Sequence, residues 1–233
     1  YNTIEEQVAL VKKRRGFKAA AVGVTGEYEA RACALYDAGV RYLCLDVAHG
    51  HHILVKNALK ILRDVFGNEV HLMAGNVATL EAFNDLADWG ADSIRVGIGG
   101  GSICSTRVNT GHGIPTFQSI HDCSYSDRDA KIIADGGIKN SGDIVKALAA
   151  GADFVMLGSM LAGTDESPGE IFTSGNKKYK VYRGMASRSA QMDWRGQSSS
   201  PEGISTTIPY KGPVADILRD IAGNIRSGFS YTG

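Results

Sequence analysis

Six short apolar runs, each closing in glycine or a small polar residue and separated by longer helix-like stretches, set the strongest limit on what this chain can fold into. They are "AAAVGV" (19–24), "YLCLDVA" (42–48), "VHLMAGN" (70–76), "SIRVGIG" (93–99), "KIIADGG" (131–137) and "FVMLGSM" (154–160). Unbroken apolar runs of this length fit buried parallel strands, whose two faces are both covered by crossover helices. The intervening "EYEARACALYDAG", "ILVKNALKILRDVFG", "TLEAFNDLADWG" and "SGDIVKALAAGA" are amphipathic. The chain is therefore predicted to be an α/β protein of repeated βα units with right-handed crossovers.

Residues able to do chemistry cluster just after the strands: Asp46, Asn76, Cys104, Asp135 and Ser159. A (β/α)8 TIM barrel builds its site at that C-terminal face, whereas an open doubly wound sheet uses only the strand ends near its switch point. So many loaded ends favour the barrel. About six of the eight βα units are visible, and an unclosed barrel would expose two long edges. Two N-terminal units are therefore expected to lie outside this sequence, and Tyr1 in place of a start methionine agrees with a trimmed or processed piece.

At 233 residues one catalytic domain spanning 1–233 is the expectation, with an insertion at about 170–207. There "EIFTSGNKKYKVYRG" (170–184) alternates around a Ser-Gly-Asn turn, a hairpin signature, and "MASRSAQMDWRGQSSSPEGISTT" has no clear period and reads as a mobile flap. A last helix, "VADILRDIAGNIRSG", follows.

Lys plus Arg and Asp plus Glu balance at 25 each, which leaves no field to hold nucleic acid or an anionic membrane. Any phosphate bound should be small and locally held. The four cysteines lie far apart with no Cys-x-x-Cys pair, consistent with a reduced, cytoplasmic protein. No run approaches the roughly 18 apolar residues of a membrane span, and no signal-peptide pattern is present.

"ADGGI" (134–138) and "MLGSM" (156–160) end adjacent strands, where glycine lets a ligand approach the backbone and helix N-termini offer N–H groups to an anion. Two adjacent loops with this signal favour phosphate binding over a simple tight turn. "DVAHGHH" (46–52) has the look of the start of a metal site, but the other strand ends carry Asn76, Cys104 and Asp135 rather than further ligands, so a polar loop with Asp46 as acceptor is the better reading. Cys104 sits on glycine-rich backbone among Ser102, Ser105, Thr106 and Arg107, with nothing apolar to enclose it. Such a thiol can be activated by neighbouring donors or cations. Trp194, in a polar segment, fits a ligand contact and surface packing equally.

"GIGGGSICSTR", "LDVAHGH", "MAGNVAT", "IIADGGIKNSGDIVKALAAGADFVMLGSMLAG", "ESPGE", "YRGMAS" and "PEGISTTIPYKGP" together resemble the IMP dehydrogenase/GMP reductase family, from about residue 17 to the C-terminus. The resemblance implies that Cys104 attacks C2 of a purine nucleotide and forms a covalent thioimidate. It implies a monovalent cation, potassium, on the carbonyls of Gly99, Gly101 and Cys104, although Gly100 stands where proline is usual. Ser102, Gly136, Gly137, Gly158, Ser159, Tyr182 and Gly184 fall at the substrate, with the 5′-phosphate held by Ser102, Gly137, Gly158, Ser159 and Tyr182. Asp135 would hold the ribose, and Met185 and Glu202 the base. Asp46, Asn76 and Arg95 fall at the nicotinamide end of the cofactor, and Thr106 and Glu166 look like the proton-handling pair.

Two reactions remain open within that resemblance. IMP dehydrogenases hydrolyse the intermediate with an Arg-Tyr pair on a long flap, and here "ASRSAQMDWRGQSSSP" is short and lacks that dipeptide, although Arg195 is a substitute base to consider. The short flap and "TRVNTGHGIP" resemble GMP reductases, while "YRGM", "SPGE" and "PEGI…PYKGP" resemble the dehydrogenases. The sequence leans to GMP reductase with NADPH over IMP dehydrogenase with NAD, and to a homotetramer with no nucleic-acid partner. A nucleotide-binding regulatory protein without catalysis is disfavoured, because a pure binder needs neither Cys104 nor Thr106 nor Glu166.

Overall fold

A computed structural model describes residues 2–232, with the backbone alone for Trp194 and Arg195. The expectations attached to Tyr1 and to the Trp194 and Arg195 side chains lie outside the described residues. In chain order the elements are α1 (Ile4–Lys12), β1 (Ala19–Val22), α2 (Tyr28–Asp37), β2 (Tyr42–Asp46), α3 (Ile53–Phe66), β3 (His71–Val77), α4 (Leu80–Asp88) and β4 (Ser93–Val96). Then come α5 (Thr106–Thr110), α6 (Thr116–Cys123), β5 (Lys131–Asp135), α7 (Ser141–Ala149) and β6 (Phe154–Met156). The C-terminal part adds β7 (Ile171–Ser174), β8 (Lys177–Arg183), α8 (Arg188–Arg195), β9 (Ser205–Pro209) and α9 (Val214–Ser230).

Strands β1 to β6 form one sheet in sequence order, and β7, β8 and β9 form a second of three strands. Pairing from β1 through β5 is parallel, with Leu43 opposite Leu72 and Ile94 opposite Ile132. Each of the six apolar runs thus becomes a strand of one α/β sheet. The chain divides into two compact units, residues 1–97, 118–134 and 151–154 in the first, and 98–117, 135–150 and 155–233 in the second.

In the first unit Leu35, Leu43, Leu45, Leu59, Leu62, Leu72, Phe83 and Ile94 are fully buried, but β2 buries only the face of Leu43 and Leu45, so the expected coverage of both faces is incomplete there. The end strands of the sheet order depart from that expectation. In β1 only Val22 is buried, and Phe154 at the start of β6 is 58% exposed, because a terminal strand has a neighbour on one side only. A repeated Gly-Ala-Asp sets strand starts: Asp92 before β4 accepts from Leu72 N–H at 2.7 Å, and Asp153 before β6 accepts from Ile132 N–H at 2.8 Å. Thr79 caps α4 through the Ala82 N–H at 3.3 Å, satisfying a donor the helix itself leaves unpaired.

In the second unit the expected hairpin is β7–β8, paired antiparallel. The flap holds more structure than its sequence suggests. Ser187 caps helix α8, and β9 extends the hairpin, with Val181 opposite Thr207. A polar strand escapes a hydrophobic-period reading because its order comes from the ladder rather than from burial. Lys180, only 4% exposed, donates to the carbonyls of Thr164 at 2.7 Å and Ser167 at 2.8 Å, a buried cation met by oxygen dipoles.

Candidate active site

Ladder register builds the first cluster. Asp46 lies opposite Gly75, and Gly75 opposite Arg95, so three neighbouring strands put an acid, a glycine and a base in a row. Because Gly75 has no side chain, Arg95 crosses it and its Nη2 donates to Asp46 Oδ1 at 2.7 Å. A Cβ on Gly75 would stand 2.7 Å from the Arg95 Cβ, closer than real Cβ atoms come to one another. The other guanidinium nitrogen, Nη1, donates to Cys44 Sγ at 3.3 Å. Arg95 is 14% exposed and Asp46 49%, so the base is the buried member and the acid faces outward. Asn76 Nδ2 donates to the Gly97 carbonyl at 2.8 Å.

Local partners take up two of the histidines of "DVAHGHH". His51 Nε2 bonds Asp85 at 2.8 Å and its ring stacks on Trp89, while His52 Nδ1 accepts from Leu54 N–H at the start of α3. Among the described residues no group of three or more His, Cys, Asp or Glu side chains is placed to hold a metal ion.

The second cluster is built by loops of the second unit. Gly99 (φ +82°) and Gly113 (φ +154°) flank the Arg107 stem, and a Cβ on either would meet Arg107 Cγ at 2.5 Å. Ile114 N–H donates to Ile98 O at 3.3 Å, closing the base of the loop that carries Cys104. Against it runs the last part of the flap: Ser105 N–H donates to Glu202 O at 2.9 Å and Ile204 N–H to Ile103 O at 3.0 Å. That short pairing sets the side chains. The Cys104 thiol donates to Thr106 Oγ1 at 3.2 Å, and the Thr106 hydroxyl donates to Glu202 Oε2 at 2.7 Å.

Here the geometry departs from the expected pairing of Thr106 with Glu166. Glu166 Oε2 accepts the Val214 N–H at 2.9 Å, satisfying a free donor at the start of α9. Its loop is further fixed by Lys180 and by Tyr210, whose hydroxyl donates to Asp165 at 2.6 Å. Glu202, expected at the base, is therefore the carboxylate on Thr106.

Several of the expected phosphate residues come together in the same unit. Ser102 Oγ lies 3.4 Å from the Tyr182 hydroxyl, and a Cβ on Gly158 would be 3.3 Å from that same hydroxyl. Gly136 (φ +95°) abuts the Cys104 loop so tightly that a Cβ would fall 2.9 Å from Gly100 C and 3.0 Å from Gly101 N. Gly137 (φ +81°) lies against Gly100 O. Ser159 is held by its carbonyl, which accepts from Lys211 Nζ at 2.8 Å, and burial lowers the Lys211 pKa below its ordinary value. Gly184 packs on Ile103, while Met185 is 62% exposed. Asp135 closes β5 at the start of this glycine turn. The carbonyls of Gly99, Gly101 and Cys104 belong to one loop, and Gly101 O also accepts Cys104 N–H at 3.1 Å. Neutral carbonyl oxygens are the donors a hard alkali cation takes, so these residues fit potassium in kind.

Comparison with known proteins decides the family. Residues 5–233 match the IMP dehydrogenase / GMP reductase domain. The chain belongs to the IMP dehydrogenase/GMP reductase family. An inosine-5′-monophosphate dehydrogenase of Nitrosopumilus maritimus is 44% identical across the whole chain and 52% of its own length. A GMP reductase of Leishmania major is 46% identical over 92% of the chain and 46% of its own length. In structure the chain resembles a cysteine-to-alanine variant of GMP reductase from Trypanosoma brucei in complex with guanosine 5′-monophosphate, with TM-score 0.88 and 43% identity over 94% of this chain and 47% of that one. The chain spans about half the length of these relatives. The fold is accordingly that of the family's (β/α)8 barrel, of which six βα units are present in this chain.

Sequence reasoning did not single out three residues that support these clusters: Gly75 beneath Arg95, Lys211 behind Ser159, and Gly203, which pairs with Cys104 in an isolated bridge. Gly75 was open to discovery as a glycine inside an apolar strand, which signals a close approach. Lys211 and Gly203 carry no comparable signal.

Proposed function

We propose that this protein reduces GMP to IMP, releasing ammonia, with NADPH as hydride donor, through a thioimidate on Cys104. The observation that carries the reading is the unbroken chain from the Cys104 thiol through Thr106 to Glu202. Along it the thiol proton passes to Thr106 as the Thr106 proton passes to Glu202, leaving a thiolate and a neutral carboxyl. The thiolate adds to C2 of the purine. Thr106, reprotonated from Glu202, then donates to the 2-amino nitrogen, which leaves as ammonia. The nicotinamide cofactor, when bound, supplies a hydride to C2, and the C2–S bond then breaks to return the thiolate.

Ser102, Gly137, Gly158, Ser159 and Tyr182 hold the 5′-phosphate, with the exposed turns supplying N–H groups. Asp135 takes the ribose hydroxyls, and Gly136, Gly184 and Met185 line the purine. Asp46 offers an outward carboxylate acceptor and Asn76 an amide, which fits a nicotinamide carboxamide, with Arg95 fixing Asp46. Potassium on the loop carbonyls and assembly as a homotetramer belong to the same reading.

IMP dehydrogenation with NAD is the second reading, favoured by one observation: a hydroxyl on a carboxylate at 2.7 Å suits activating water as well as expelling ammonia. Absorbance at 340 nm separates the two. Loss of signal with GMP and NADPH alone supports the reductase, and a rise with IMP and NAD alone overturns it in favour of the dehydrogenase. Cys104→Ser is expected to abolish either reaction, and retained turnover would remove Cys104 from the chemistry.

A further inference from the structure

Gly100 lies at the centre of the nucleophile loop, and its φ lies outside the left-handed region, so its backbone does not demand glycine. Space does. An ideal Cβ on Gly100 would fall 2.3 Å from Thr116 Oγ1, and its next neighbours, Gly136 C at 3.3 Å and Gly136 Cα at 3.5 Å, are far less restrictive. Thr116 opens α6, and its Oγ1 is buried without a hydrogen-bond partner among the described residues. What the contact with Gly100 shows is the volume of that side chain. The same oxygen lies 3.8 Å from where a Cβ on Gly137 would stand, so Thr116 touches both the nucleophile loop and the glycine turn after β5.

We infer that Thr116 is a positioning residue for Cys104: its side chain fills the space beside Gly100 and so fixes the backbone that carries the nucleophile four residues on. Gly100 and Thr116 are alternatives, since only one of the two positions can fill that space. The inference rests on the reading of Cys104 as nucleophile, but its geometry does not.

Two readouts on the protein separate those claims. Alkylation of each cysteine by iodoacetamide, resolved by mass spectrometry, reports the loop without requiring turnover, with Cys33 as an internal reference for general loosening. Steady-state kinetics with GMP and NADPH report the chemistry. Gly100→Ala should raise the Cys104 rate about fivefold relative to Cys33 and lower kcat about tenfold with a smaller change in KM, as expected for overpacking beside a reacting group. Adding Thr116→Ala to Gly100→Ala moves the methyl group across the contact and should return both readouts to within about threefold of the parent, a coupling that independent sites would not show. Thr116→Val keeps the volume and discards the hydroxyl, so it should match the parent. Parent-like alkylation and kcat in Gly100→Ala, failure of Thr116→Ala to rescue it, or a Thr116→Val defect equal to that of Gly100→Ala would each overturn the inference. Turnover retained by Cys104→Ser together with the expected alkylation pattern would instead sink the chemical reading and leave the packing relation intact.

Discussion

The Asp46–Arg95 pair and the Cys104–Thr106–Glu202 chain are both short polar networks, yet the polypeptide builds them in different ways. Asp46 and Arg95 stand on strands whose register is dictated by apolar residues on either side, Leu45 opposite Ala74 and Ala74 opposite Ile94. A one-residue slip would carry Leu45, Ala74 and Ile94 to the opposite face of the sheet, so the pair is held by the whole ladder. Thr106 and Glu202 meet from loops 96 residues apart in sequence, through two main-chain hydrogen bonds and a glycine-lined contact. Strand-built networks resist loop rearrangement, and loop-built networks move with whatever moves the loop. In the proposed reaction, the group that would meet the cofactor stands on the stiffer construction and the proposed nucleophile on the one that can shift.

The largest expected effect tests the loop-built half. Glu202→Gln keeps the shape but removes the carboxylate that accepts the Thr106 proton, so kcat should fall by about 10²–10³-fold, in the range of a lost general acid–base group. Glu166→Gln should leave kcat within about threefold and cost only about 1 kcal/mol of stability, since its carboxylate caps a helix. Comparing the two kcat values and melting curves checks this, and a greater kcat loss in Glu166→Gln would restore the pairing expected from sequence.

A smaller effect tests the strand-built half. Gly75→Ala places a methyl carbon 2.7 Å from the Arg95 Cβ, so Arg95 must withdraw from Asp46. The expected result is a rise of about tenfold in cofactor KM, little change in nucleotide KM, and a stability loss of about 1–3 kcal/mol from overpacking. Equal shifts in both KM values would show that the disturbance spreads beyond Asp46.

What could be read from sequence follows the same division. The six strands and their order were legible because each leaves a short apolar run closed by glycine or a small polar residue. The loop that carries Cys104 was legible from its glycine cluster. The partner of Thr106 was not, because Glu166, before Ser167 and Pro168, and Glu202, after Pro201, are both acids in polar segments, and only the pairing of residues 103–105 with 202–204 chooses between them. Helix α8 and strand β9 were hidden for a related reason: their order depends on the Ser187 cap and the β8 ladder, neither of which imposes a hydrophobic period.

The smallest effect compares two thiols. Cys123 is fully buried at the end of α6, and burial pushes its pKa up to about 12, whereas Cys104 lies partly open on its loop. At pH 8 the buried thiol stays neutral and screened from reagent, so iodoacetamide should label Cys104 and leave Cys123 unmodified until the protein unfolds. The same burial sets a pH dependence. Below the ordinary thiol pKa of about 8.5 both folded and unfolded states keep the proton, and the stabilising contribution of the buried neutral thiol is complete. Above it the unfolded chain releases that proton while the folded chain does not, so stability falls as pH rises toward about 12. Chemical denaturation at pH 8, 9.5 and 10.5 should show this decline in the parent and a shallower one in Cys123→Ala. Parallel slopes in the two proteins would mean that the alkaline loss comes from other groups, and that the contrast between an inert core thiol and a reactive loop thiol rests on access rather than on ionisation.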